Sequence, residues 1–439
     1  MNYIISKFKN NIDLLSILII LLPISIIIGN LAVNLSCLLI IILGVKKFNQ
    51  EFIEYLNLFK FYLVVLFVFF ILNIVFSSDY LLSLKGTIGT IKHILLSLII
   101  FFWLISNKNN LFIFLVSIFF CVVLVATSIY IEFLIKLFYL HVMWDGVFPV
   151  DGYGLKNGVR HLTFNRFSGI FFEEKVAGSF IEKLLCPILL FLLINTKKFK
   201  KDKFLYAIVI FCYFAVLMSL DRSPFIIISF GLFVFLFFTK KISLSNKFNL
   251  LFVSLTIVIV SYNTIFPIQS KFNYTLKQFG IIDEKNSEVA WKRNKNFLET
   301  KWASHFITAY EMGKKSFIIG NGIKTFRKDC GKYEFLSEKF DQGPASKRCS
   351  THPHNIYFEL FAETGTFGLL IFIYFHFMVL KKIYENKNRE LKIILFSIFI
   401  VLFFPIQTTG SYFSTFNGIF YFLNLSIINF ICFNKKISV

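Results

Sequence analysis

Apolar residues fall along this chain in long blocks separated by short, mostly basic connections. Twelve such blocks occur, at 13–29, 31–45, 59–76, 88–106, 111–131, 177–195, 204–220, 224–239, 249–267, 356–380, 392–408 and 415–433. A helix needs about 20 residues to cross the hydrocarbon core, so blocks of this kind predict membrane spans. The expected architecture is an all-α polytopic membrane protein with about twelve transmembrane helices. Two long polar interruptions divide it. Residues 1–137 hold the first five helices, 138–176 a first long loop, and 177–267 helices six to nine. A larger loop follows at 268–355, and residues 356–439 hold the last three helices. Within the larger loop Trp302, Phe306 and Tyr310 recur at helical spacing, which predicts an amphipathic helix packed on the bundle or lying at the interface.

Charge sets the orientation. The 439-residue chain carries a formal net charge of +21. That excess sits in the connections rather than in a nucleic-acid-binding stripe, so no nucleic-acid partner is expected. Lys46, Lys47, the Lys197–Lys203 cluster, Lys240, Lys241, Lys381 and Lys382 mark one side, while the short opposite connections hold only Lys85 and Arg222. The positive-inside rule then puts both termini in the cytoplasm and both long loops outside, with the first span retained rather than cleaved. Five of the seven cysteines fall in expected spans. Cys330 and Cys349 lie together in the larger outer loop, where either a disulfide or two free thiols fits the sequence.

The candidate chemistry begins at Cys349-Ser350-Thr351-His352-Pro353-His354-Asn355, just before the tenth span. Histidine can take a proton near neutral pH, and Asn355 is a good helix N-cap. His354 would thus stand at the positive end of a helix dipole, which favours a neutral ring and attracts phosphate. Interfacial polar residues, or a chance metal pair of His352 and His354, are the competing readings, and no third metal ligand is evident. Arg222, in Asp221-Arg222-Ser223-Pro224, occupies a tight outer turn and is suited to gripping a pyrophosphate or to snorkelling. Arg166 leads into the sixth span and can meet a lipid headgroup. Gly320-Asn321-Gly322 predicts a tight bend. Lys301 and His305 on the striped helix can face either way, and Glu359 and Glu363 share a helical face from which they could orient a base or contact the interface. There is no phosphate-binding glycine loop ending in Lys-Ser/Thr and no Asp-x-Asp motif, so neither a metal nor another cofactor is expected.

These residues resemble a known family. His354-Asn355, nine residues, then Gly365-x-x-Gly368 is similar to the pattern of bacterial O-antigen ligases, and Thr351–Tyr357 is typical of the O-antigen ligase and polymerase superfamily. Asn165–Gly169, Asp221-Arg222-Ser223 and Ile319–Gly322 follow in the family's order. The resemblance implies a GT-C-like glycosyltransferase of the bacterial inner membrane with a periplasmic site. It would move a glycan from undecaprenyl pyrophosphate to lipid A-core with inversion, without a metal. His354 would be the base; Arg222, with Arg166 and Arg327, would hold the pyrophosphate; His352, Asn355, Glu359, Gly365 and Gly368 would support the site. The family's arginine on the large-loop helix is replaced here by Thr300–His305, so Arg327, Lys301 or His305 must stand in, with Arg327 ranked first. A polymerase with a lipid-linked glycan acceptor shares the same features. A flippase needs polar residues at mid-membrane, whereas the ionisable groups here concentrate outside.

Overall fold

The computed structural model describes residues 13–58, 60–107, 109–142, 153–156, 159–162, 166–172, 174–195, 202–278, 297–405 and 410–434. In chain order the helices begin with α1 (Leu14–Ile28), α2 (Asn30–Lys47), α3 (Asn49–Leu58), α4 (Lys60–Val75), α5 (Tyr80–Ser106) and α6 (Asn110–Val142). A short antiparallel hairpin follows, β1 (Tyr153–Lys156) with β2 (Val159–Leu162), pairing Tyr153 with Leu162 and Lys156 with Val159. Next come α7 (Ala177–Asn195), α8 (Asp202–Met218), α9 (Arg222–Phe238), α10 (Leu244–Thr264) and α11 (Phe266–Gln278). The larger loop contains α12 (Lys301–Lys315), α13 (Phe326–Asp329) and α14 (Ala345–Arg348). The chain ends with α15 (Ile356–Glu385), α16 (Arg389–Phe403) and α17 (Thr415–Phe433).

Each expected apolar block carries a helix, and the protein is an all-α polytopic membrane protein. Among the described residues seven helices are long and apolar enough to cross a membrane, or eight if α3 and α4, bent by 83°, count as one span. The remainder are shorter. At 15 residues α1 is about 22 Å long against a hydrocarbon core of about 30 Å, so the expected twelve full crossings do not follow from helix length.

The chain divides into two compact units. The first comprises Met1–Phe114, Leu276–Lys387 and Phe403–Ile437; the second comprises Leu115–Thr275, Asn388–Leu402 and Ser438–Val439. In the first, α5 packs along α17, where Gly418 leaves room for the His93 ring and the hydroxyls of Ser97 and Ser426 meet at 2.9 Å. Trp103 of α5 donates its indole N–H to Ser16 of α1 at 2.8 Å, which satisfies a polar group that lipid could not. In the second, α7 packs on α8 and α9, and Glu390 at the start of α16 accepts from the Thr239 hydroxyl and, at 2.9 Å, from the Lys240 amide. On α10 Phe252 and Leu255 are 71% and 60% exposed, a surface that only an apolar solvent would favour.

Candidate active site

In the first unit the turn before α15 is tied from both sides. Cys330 and Cys349 form a disulfide with Cα atoms 5.2 Å apart. Arg348, buried at the end of α14, donates to the carbonyls of Lys332 at 3.0 Å and Gly331 at 2.6 Å, so the same join is made twice. Beyond it Asn355 caps α15, its side-chain oxygen accepting from the amides of Tyr357 at 3.0 Å and Phe358 at 3.2 Å. The Asn355 amide nitrogen donates to Pro405 at 2.9 Å and the Tyr357 hydroxyl to Phe403 at 2.7 Å, which anchors the helix start to residues 403–405. Between Pro353 and the cap, His354 sits in the left-handed region with φ of 60°. That conformation costs an L residue about 1–2 kcal/mol and persists only where neighbours enforce it.

Three imidazoles and an indole gather at this turn. The His352 and His354 ring centres are 4.2 Å apart, and His305 of α12 stacks on His354 at 5.2 Å with 24° between the planes. Trp302, one turn earlier on α12, meets His354 edge-on at 4.9 Å. Thr351 and the Nδ1 of His352 are 2.9 Å apart, which orients that ring. His305 is fully buried, near the carbonyls of Lys347 and Cys349 but with no well-formed hydrogen bond at either ring nitrogen among the described residues. Burial first, then the charges of Lys301 and His352, push its pKa down to about 4, so it is neutral at pH 7. Small residues bring α12 onto the first turns of α15, with Ala309 and Met312 buried against Ala362, and the predicted stripe flanks that contact: Phe306 stacks on Phe358 at 5.1 Å and the exposed Tyr310 meets Phe361 at 5.9 Å.

Gly365 breaks α15 and gives the loop 316–325 its place. With φ of 65°, it frees the amides of Thr366 and Phe367, which donate to Phe317 at 2.7 Å and Ile318 at 3.2 Å. Return bonds run from Asn321 to Ala362 and from Gly322 to Glu363, both at 3.0 Å. A Cβ on Gly365 or Gly320 would lie 2.5 Å from backbone oxygen across this seam, so the predicted bend is also a close approach of two main chains. Glu363 closes it, accepting from the amides of Lys324 at 2.6 Å and Phe326 at 3.1 Å. Glu359 binds the Ser411 hydroxyl and, at 2.7 Å, the Tyr412 amide. Both carboxylates therefore anchor loops; they neither orient a histidine nor face the interface. Gly368 lies one turn after Thr364 against that side chain. Asn73, a polar residue inside an apolar span, completes the clamp by donating to Ile319 at 2.8 Å and accepting from Ile323 at 3.1 Å. Its isolation in the sequence was the one signal of this role.

Arg327 is exposed on α13, with Glu359, Glu363 and Lys324 as its electrostatic neighbours. In the second unit Arg222 opens α9 and donates Nη1 to the Thr275 hydroxyl and, at 3.3 Å, to the Lys271 carbonyl on α11. Its guanidinium carbon lies 5.5 Å over the Tyr274 ring. Arg166 approaches Asp221 at 3.4 Å, so the arginine that the sequence assigned to headgroups meets a buried carboxylate. Burial raises the pKa of Asp221, and Arg166, Lys183 and Arg222 oppose that rise. Among the described residues no three His, Cys, Asp or Glu side chains are placed to hold a metal ion.

The segment that contains the arginine turn, α12, the Gly-x-Gly clamp and the histidine turn also falls within a match to a known family. Residues 205–373 match the O-antigen ligase family. The O-antigen ligase match takes in Arg222, Arg327, His354, Asn355, Gly365 and Gly368, and leaves Arg166 outside it. It supports the O-antigen ligase and polymerase superfamily for this chain. No curated protein and no solved structure matches the chain.

Proposed function

We propose that the protein is a membrane glycosyltransferase of the O-antigen ligase type. It moves a glycan from undecaprenyl pyrophosphate to lipid A-core at the periplasmic face of the inner membrane, by inversion and without a metal. The observation that carries this reading is the enforced left-handed turn at His354, fixed between the disulfide and the Asn355 cap inside the O-antigen ligase match. In the reaction His354 removes the proton of the acceptor hydroxyl. The acceptor oxygen bonds to the anomeric carbon, and the bond from that carbon to the phosphate oxygen breaks. Undecaprenyl pyrophosphate leaves with the electron pair. Arg222 meets the charge that develops on the leaving group, assisted by Arg166 and Arg327; fixed cations aimed at a departing anion supply much of such catalysis.

The test is lipopolysaccharide profiling in a ligase-deficient host, comparing the protein with its His354→Ala variant at equal membrane abundance. Laddering restored by the first and abolished by the second supports ligation with an essential His354. A well-expressed wild type that gives no laddering counts against this acceptor, and activity in a polymerase-deficient host would then assign the chain to the polymerase branch.

A further inference from the structure

Among the described residues, the second unit holds more positive charge near Arg222 than the carboxylates beside it balance. Asp221 pairs with Arg166 at 3.4 Å, and Glu182 pairs with Lys183 at 3.1 Å, both carboxylates being buried. Lys271 of α11 is left over. Its side chain is half-buried, no hydrogen bond or ion pair involves its ammonium among the described residues, and the charges acting on it are those of Arg222, Arg166 and Lys175. Burial first, then these cations, push its pKa down.

The geometry shows where a counter-ion fits. Lys271 and Thr275 are one helical turn apart on α11, and Arg222 spans that turn with Nη1, bonded to the Thr275 hydroxyl and the Lys271 carbonyl. One corner of the guanidinium is therefore fixed to α11, while Nε and Nη2 have no partner among the described residues. The free guanidinium edge, on α9, and the ammonium of Lys271, on the helix to which that guanidinium is bonded and within reach of its charge, together suit a phosphate, which takes parallel bonds from arginine and a point charge from lysine. The sequence ranked Arg327 first as the replacement for the family's missing arginine, but that charge lies near Glu359 and Glu363.

We propose that Lys271 is a further ligand of the donor's pyrophosphate, acting on the same diphosphate as Arg222. This rests on the reading of the protein as a transferase using an undecaprenyl-pyrophosphate donor. Lys271 is a binding residue in this scheme; it moves no proton.

The experiment measures binding of undecaprenyl pyrophosphate to the full chain in nanodiscs of neutral lipid. Wild type is compared with Lys271→Gln, Lys271→Arg and, as an equal change of charge elsewhere, Lys314→Gln. Loss of one charge-assisted contact should weaken binding about tenfold in Lys271→Gln, with Lys271→Arg and Lys314→Gln close to wild type. Binding that is equal in wild type and Lys271→Gln overturns the role of Lys271 while leaving the transferase reading intact. No binding by the wild type overturns both. A parallel series with phosphatidylglycerol in the discs tests the other phosphate source. If Lys271→Gln loses retention of that lipid but not of undecaprenyl pyrophosphate, the site belongs to a headgroup and the proposal fails.

Discussion

His305 and His354 lie 49 positions apart in sequence, yet their rings stack at 5.2 Å and 24°. One ring is on the amphipathic helix α12 of the larger loop, the other in the strained turn before α15. Because His305 stays uncharged at neutral pH, it packs against His354 without opposing the positive charge that the proposed mechanism places there. His305→Phe, which keeps an aromatic face, should therefore retain most transfer activity, whereas His305→Lys should lower it at least tenfold and move the acid limb of the pH–rate profile to lower pH. Equal profiles for wild type and His305→Lys would remove His305 from the environment of the base.

The same depressed pKa makes a stability prediction. His305 titrates near 4 when folded and near 6.5 when unfolded, so the unfolded chain binds more protons between those values. Its neutral packing stabilises the fold above pH 6.5, and that contribution declines as pH falls toward 4. Thermal unfolding of the solubilised protein at pH 7.5 and pH 5 should show a smaller drop in His305→Phe than in wild type.

Gly365 is the second point of leverage. A methyl group there meets main chain at 2.5 Å, and the positive φ disfavours any L side chain. Gly365→Ala should destabilise the protein by several kcal/mol, on the order of 3, and abolish transfer by displacing the loop that abuts α15. Gly89→Ala, at a helical glycine with open space around it, is the matched control and should leave thermal stability near that of the wild type.

The disulfide has a separate consequence. Cys330 and Cys349 are 19 residues apart, a loop whose closure is worth about 3 kcal/mol in the chain-entropy model. Cys330→Ser with Cys349→Ser should change migration on a non-reducing gel and lower both thermal stability and transfer. The bonds of Arg348 to Gly331 and Lys332 hold the same join, so activity should fall without vanishing. Unchanged migration would mean that the two thiols do not pair.

Arg222 is tested by shape as well as charge. Arg222→Lys keeps one positive charge but cannot both bond α11 through Nη1 and present a two-donor edge. Transfer should fall about 100-fold in Arg222→Lys and further in Arg222→Ala. Full activity in the lysine variant, measured as donor turnover in membranes, would show that only charge matters at this turn.

Much of the architecture was written in local pattern. Apolar blocks located the helices because burying backbone polar groups in lipid leaves few alternatives. The spacing of Trp302, Phe306 and Tyr310 marked α12 as a helix, although the face it buries most deeply carries Ala303, Ser304, His305, Thr308, Ala309 and Met312, and Asn355 announced the start of α15. The histidine motif and the resemblance to the O-antigen ligase family were legible because they depend on residues close together in the chain. Helix lengths were less so: a block shows that a segment is apolar, whereas α1 ends where Gly29 turns the chain with φ of 126°.

What tertiary structure decided was the identity of the neighbours. A helical period tells which residues share a face, and says nothing of what that face will meet. Glu359 and Glu363 were correctly placed on one side of a helix, but only the folded chain turned that side toward the amides of Tyr412, Lys324 and Phe326. His305 was equally free to face water until α12 docked on α15, and Lys271 was one lysine among many until Arg222 reached across to its carbonyl. Such long-range pairings come from the summed packing of whole helices, and no short stretch of sequence contains that sum.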